Sequence, residues 1–202
     1  MKYKDILKKS LIITTIFTSF TTPFIANANF KQVSELSKIE YQNEQDNYFN
    51  HNWKFVANSI DGSIVRYSAD FIHLADVNDS NSFVTYISGE IPENQITPIT
   101  QAFSTHLLMQ MEDIKYLVTM EQFDVKNKSH RTEMLLLFGR DGKLLYKNNN
   151  YTQYQKLKNT NIPSPHILIF NLLNTKEIYE DIKNKPWYNS NTKKFVPVAN
   201  NL

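Results

Sequence analysis

The sequence predicts an α+β fold: an antiparallel sheet of about six strands in meander order, packed against a C-terminal helix. Three observations carry this. Six short segments alternate apolar and polar residues with the period of a strand. Turn residues, Asp61-Gly62 and Gly139-Arg140-Asp141-Gly142 among them, separate these segments at hairpin spacing. A nearly all-apolar run after Ser164-Pro165 has the length of a helix and the start signal of one. Strands followed by a helix give a sheet with one covered face.

The 202 residues are 41% hydrophobic and 21% charged, an ordinary balance for one folded domain with appendages. Met1–Ala28 has the pattern of a secretory leader. Lys2, Lys4, Lys8 and Lys9 form a basic start, Leu11–Ile25 is apolar, and Ala26-Asn27-Ala28 is a small-x-small cleavage site. The expected cut lies between Ala28 and Asn29. The apolar run is short and broken by Pro23, which argues against a membrane anchor, and no later stretch is long enough to span a bilayer. Of 22 basic and 20 acidic residues the leader holds four and one, leaving 18 and 19, a net of −1. The balance gives no footprint for nucleic acid or an anionic membrane. The chain has no cysteine, so it is expected to be neither a lipoprotein nor disulfide-stapled.

Residues 29–52 read as a polar spacer, with Phe30, Val33 and Leu36 spaced for at most a short helix. The domain is expected over residues 53–185. Trp53–Asn58 is a strand with Trp53, Phe55 and Ala57 on its apolar face. Asp61-Gly62 suits a type I′ turn, which needs positive φ at both central residues. Ser63–Asp70 returns, with Phe71–Leu74 as an extension. Asp76–Ser82 is turn-rich, and Ser82–Ser88 is a β-branched and aromatic third strand. Gly89–Asp113 carries Pro92 and Pro98 as punctuation, with Ile99, Phe103 and Leu107 spaced for an amphipathic helix.

Ile114–Phe123 and Arg131–Phe138 are the fourth and fifth strands, joined by Lys126-Asn127-Lys128-Ser129, where Asn tolerates the left-handed region. Met120, Gln122 and Asp124 oppose Glu121, Phe123 and Val125. Likewise Arg131, Glu133, Leu135 and Leu137 oppose Thr132, Met134, Leu136 and Phe138. The second half of that strand is apolar on both faces, so material is expected on each side. Leu144–Lys147 is a short sixth strand and Tyr151–Asn161 a polar loop. Ile167–Leu173 forms the buried helix, Thr175–Asn184 continues it or forms a second, and Pro186 stops it. Residues 186–202 read as an extended tail.

Taken together, Trp53–Asp70, the block Phe123-Asp124-Val125 with Arg131-Thr132, Gly142–Tyr146, and the helix opened by Pro163-Ser164 resemble the surface-adhesin protein E family of Gram-negative bacteria. The resemblance covers Trp53–Leu173. It implies an exported domain, periplasmic or on the cell surface, some of whose relatives bind host matrix or plasma proteins. Two departures stand out. The family's cysteine after Phe-Asp is Val125 here, and its partner near the helix end is absent. That bridge clips helix to sheet and is typically worth ~2–5 kcal/mol. Burial of Val125 and the flanking leucines offsets part of it, at roughly 1.5–3 kcal/mol per side chain. The Gly89–Asp113 connection is also longer than the family's.

Signs of chemistry are few. His51, His73, His106, His130 and His166 share no ligand spacing, and each reads as a surface or turn residue, so no metal or other cofactor is expected. Asp76-x-Asn78-x-Ser80 lacks the Gly and Glu of a calcium loop and reads as a turn. Nucleophile-elbow and phosphate-loop motifs are missing, so no catalytic residue is assigned. Asp124 and Arg131 are placed for an ion pair. Lys126, Lys128, His130 and Arg131 make a basic hairpin tip, read as a solvated loop. Tyr146, Tyr151 and Tyr154 offer a recognition patch or cover the sheet edge. The expectation is a non-enzymatic protein-binding domain. Its partner is a host matrix or plasma protein, or an envelope protein if the domain is a soluble periplasmic accessory. A hydrolase with an unrecognised site is the remaining class.

Overall fold

Six strands follow one another across a single antiparallel sheet in chain order, β1 to β6. They are β1 (Trp53–Asn58), β2 (Ile64–Asp76), β3 (Asp79–Glu90), β4 (Ile114–Asp124), β5 (Ser129–Gly139) and β6 (Leu144–Asn148). The computed structural model describes residues 47–76, 79–148, 152–158, 163–182, 188–189, 191 and 194–195. The leader, its cut between Ala28 and Asn29, residues 29–46 of the spacer, Asn78 and Tyr151 lie outside the described residues. No helix among the described residues is long and apolar enough to cross a membrane.

Helix α1 (Glu93–Leu107) links β3 to β4, and helices α2 (Pro165–Leu173) and α3 (Lys176–Ile182) follow the sheet. All three cover one face. Ile96, Ile99 and Phe103 of α1, Ile167, Ile169, Phe170 and Leu173 of α2 and Ile182 of α3 bury against Val65, Phe83, Ile87, Leu117, Phe123, Leu135 and Leu137. The opposite face holds a second cluster, with Val84, Tyr86, Val118, Met120, Met134, Leu136 and Phe138 under Tyr48. The two-sided burial expected of β5 is therefore present.

The α2 start is as expected: the Ser164 side chain accepts from the Ile167 N–H, with Pro165 in the first turn. The helix does not run on. Asn174 ends it, and a new turn begins where Thr175 Oγ1 accepts from the Ile178 N–H. Helix α1 continues through Pro98, which the sequence reads as punctuation. Proline there removes one ladder bond, and burial of the Ile96–Phe103 stripe holds the turn together.

Both Asp-Gly turns share one geometry, and at Asp61-Gly62 it is not the expected type I′. Positive φ falls on Gly62 (+85°) and Gly142 (+75°), not on the aspartates. The Gly62 N–H donates to the Ser59 carbonyl, and the Ser59 N–H to the Ser63 carbonyl. Gly142 and Gly139 repeat the pattern with Gly139 and Lys143. This is a type I turn closed by a glycine bulge. Each aspartate carboxylate accepts the N–H two residues on, Ser63 or Lys143, which favours this form. In the β4–β5 turn the left-handed residue is Lys128 (φ 47°), not Asn127, because Asn127 is held by two hydrogen bonds to the Asp124 carboxylate.

Other boundaries differ. The fold starts before Trp53: Tyr48, read as spacer, is buried, its N–H donates to the Gly142 carbonyl, and its own carbonyl accepts from Trp53 Nε1. On β1 it is Val56, not the Trp53–Phe55 face, that joins the helix-covered core. Within the expected polar loop, β7 (Gln155–Lys156) pairs with the start of β5. Tyr188–Asn189 and Lys194–Phe195, in the expected tail, pair with each other.

Candidate functional site: a buried carboxylate between two histidines

The local feature that builds this site is a β-bulge. Met120 on β4 faces Met134 on β5, but the next residue, Glu121, faces Thr132. Glu133 is therefore an extra residue without a partner, and the alternation of β5 changes phase there. After the bulge, Leu135 and Leu137 face the helices; before it, Thr132 and His130 do. An unbroken alternation would have put His130 and Thr132 on the face of Met134 and Leu136. Glu133 turns the other way and meets Arg131, whose Nε donates to its carboxylate at 2.6 Å.

The bulge brings four polar side chains together beneath α2. Glu121, 1% exposed, lies at the centre. One carboxylate oxygen accepts from Thr132 Oγ1 at 2.8 Å, and the other lies 2.9 Å from His130 Nδ1. His166, the second residue of α2, places Nε2 3.8 Å from the first oxygen. The two imidazoles stack at 4.1 Å, and Phe123 and Phe170 close the surroundings. A Glu121 oxygen and one nitrogen from each histidine all lie within 4.8 Å of one another.

Burial alone would raise the Glu121 pKa, but the His130 hydrogen bond and the nearby His166 imidazole outweigh it and hold the carboxyl far below the usual carboxylate range. The site is therefore built around an anion. Burial lowers the His166 pKa, and Glu121 opposes that only in part. Glu133 goes up: burial raises it, the Arg131 charge counters part of the rise, and the Glu121 charge adds to it.

The expectation that all histidines are surface or turn residues is corrected here. His73 and His166 are buried and His130 is half-buried, while His106 is exposed. The three residues of the site stand at 121, 130 and 166, so no local spacing announces them. Arg131 binds Glu133 and Gln122, and Asp124 binds the Asn127 turn, rather than each other. The basic tip is divided: Lys126 and Lys128 are exposed, while His130 points into the fold. Of the three tyrosines, Tyr146 packs at the core margin and Tyr154 lies exposed under the Arg131 guanidinium at 4.7 Å. Val125, whose burial is expected to help hold helix to sheet, is only half-buried against the same core.

Comparison with protein-family models, with curated proteins and with solved structures gives no match in any of the three.

Proposed function

We propose that this is an exported, non-enzymatic domain that works by binding another protein. The leader-like N-terminus and the pattern shared with the surface-adhesin protein E family support export and a contact role. The observation that carries the reading lies on β1. Among the described residues this strand pairs only with β2, and Phe55 on it is 61% exposed, with Ile60 at the adjoining turn 79% exposed. A sheet edge with outward apolar side chains is a ready surface for an added strand or a partner's apolar anchor. The partner is a host matrix or plasma protein.

A second reading, a soluble periplasmic accessory protein with an envelope partner, is favoured by the absence of any cysteine for a lipid anchor. Protease treatment of intact cells, with a periplasmic marker as control, separates the two. Digestion on intact cells supports the adhesin-like reading. Protection until the outer membrane is opened removes it and leaves the periplasmic role. In either compartment Phe55→Glu is expected to weaken partner binding at least tenfold. Undiminished binding would remove β1 from the interface.

A further inference from the structure

We propose that Glu121, His130 and His166 form a binding site for a single divalent transition-metal ion, with zinc(II) the best fit. The donor set is one carboxylate and two imidazoles. That mixture suits zinc and its neighbours, whereas calcium and magnesium take oxygen ligands. Three different elements, β4, β5 and α2, supply the donors, so the site is made by the tertiary fold and not by one flexible loop.

The spacing is close to what coordination requires. Bonds of about 2.0–2.2 Å in a tetrahedron set neighbouring ligand atoms roughly 3.3 Å apart. His130 Nδ1 lies 2.9 Å from Glu121 Oε2 and His166 Nε2 lies 3.8 Å from Glu121 Oε1, each within about half an ångström of that distance, so the carboxylate would face the ion through both oxygens. All three ligand atoms lie within 4.8 Å of one another, with the two imidazoles stacked at 4.1 Å. The ion would take the place of the proton now between His130 Nδ1 and the Glu121 oxygen. That proton moves to His130 Nε2 or leaves to solvent, so the imidazole coordinates in its neutral form.

The surroundings favour the same assignment. Thr132 Oγ1 donates to the carboxylate, the kind of outer contact that fixes a ligating group. Three protein ligands leave a fourth position for water or an outside donor. The amino end of α2 opposes a cation, and the Glu121 charge offsets it. As a purely structural device the cluster is a poor choice, because well-packed apolar side chains would fill the same space at no desolvation cost. The inference does not depend on the protein-binding proposal.

The test uses the untagged full chain, titrated with zinc chloride by calorimetry and with cobalt chloride by visible absorption. One ion per chain is expected, with the intense visible bands of a four-coordinate cobalt site. Thr132→Val should weaken binding ~10–100-fold, as loss of an outer-shell contact does, and His130→Ala more than that. His106→Ala, an exposed control, should change nothing. His166 is buried, so its variant is open to misfolding. The wild type answers for it: zinc should shift the ring resonances of both His130 and His166. No saturable binding, binding undiminished in His130→Ala, or ring shifts confined to other histidines would each overturn the assignment.

Discussion

Replacing Glu121 by Gln is the sharpest perturbation of this fold. The substitution keeps the shape and removes the charge. Glu121 is all but inaccessible and accepts from Thr132 at 2.8 Å, with His130 Nδ1 at 2.9 Å. Hydrogen bonds to a buried charge contribute roughly 1.5–3 kcal/mol each. Gln retains one acceptor oxygen, so one of the two contacts survives in weakened, neutral form. At the other oxygen position an amide N–H₂ meets an imidazole that was donating. The expected cost is about 2–4 kcal/mol in metal-free buffer, a fall in Tm of roughly 6–14 °C for a domain of this size. Urea unfolding followed by tryptophan fluorescence measures it. Removing the polar centre altogether, with Glu121→Met, His130→Leu and His166→Leu together, should cost less than the sum of the three single changes, since no group is left unpaired. A Glu121→Gln variant within about 0.5 kcal/mol of wild type would refute the reasoning, because surface carboxylates behave that way.

The two Asp-Gly turns give a paired test. Gly142→Ala should cost about 1 kcal/mol more than Gly62→Ala. Both residues have positive φ, but a Cβ at 142 would lie 2.6 Å from both Asn47 Oδ1 and the Phe49 ring, whereas at 62 it meets only Pro92 Cγ at 3.5 Å. Equal melting temperatures would contradict this. Leu108 holds the left-handed C-terminal position of α1 at φ 52° while 91% exposed. Leu108→Gly should therefore stabilise by about 1 kcal/mol, read as a higher urea midpoint. Burial raises the Glu90 pKa, but bonds from Arg66 and Lys115 outweigh it, so the folded value lies below the reference of 4.5. A depressed carboxylate contributes stability above its unfolded pKa and loses it as pH falls through the folded value. Glu90→Gln should flatten the decline in Tm below about pH 4.5; an unchanged slope would count against the ion pair.

The strands were legible because their side chains alternate over lengths that the structure reproduces to within a few residues. The Ser164-Pro165 start was legible because capping is local chemistry. Helix α1 was harder to see, since Pro98 weighs against it locally while Ile96, Ile99 and Phe103 are held by the sheet. The site was not legible. Strict period 2 assigns His130 and Thr132 to the wrong face, and nothing in Arg131-Thr132-Glu133-Met134 marks a bulge. One signal was present in hindsight. Glu121 and Glu133 both interrupt strands that are otherwise buried, and a carboxylate in such a place needs a partner from somewhere. Which partner is set by the register of β4 on β5 and by where α2 lands.

The central claim is that the bulge at Glu133 turns His130 inward to Glu121 and His166. Proton–proton Overhauser contacts from the His130 ring measure this directly. The expected contacts are to the rings of Phe123 and His166. Contacts instead to the methyl groups of Met134 and Leu136 would put His130 on the opposite face, and the site described here would not exist.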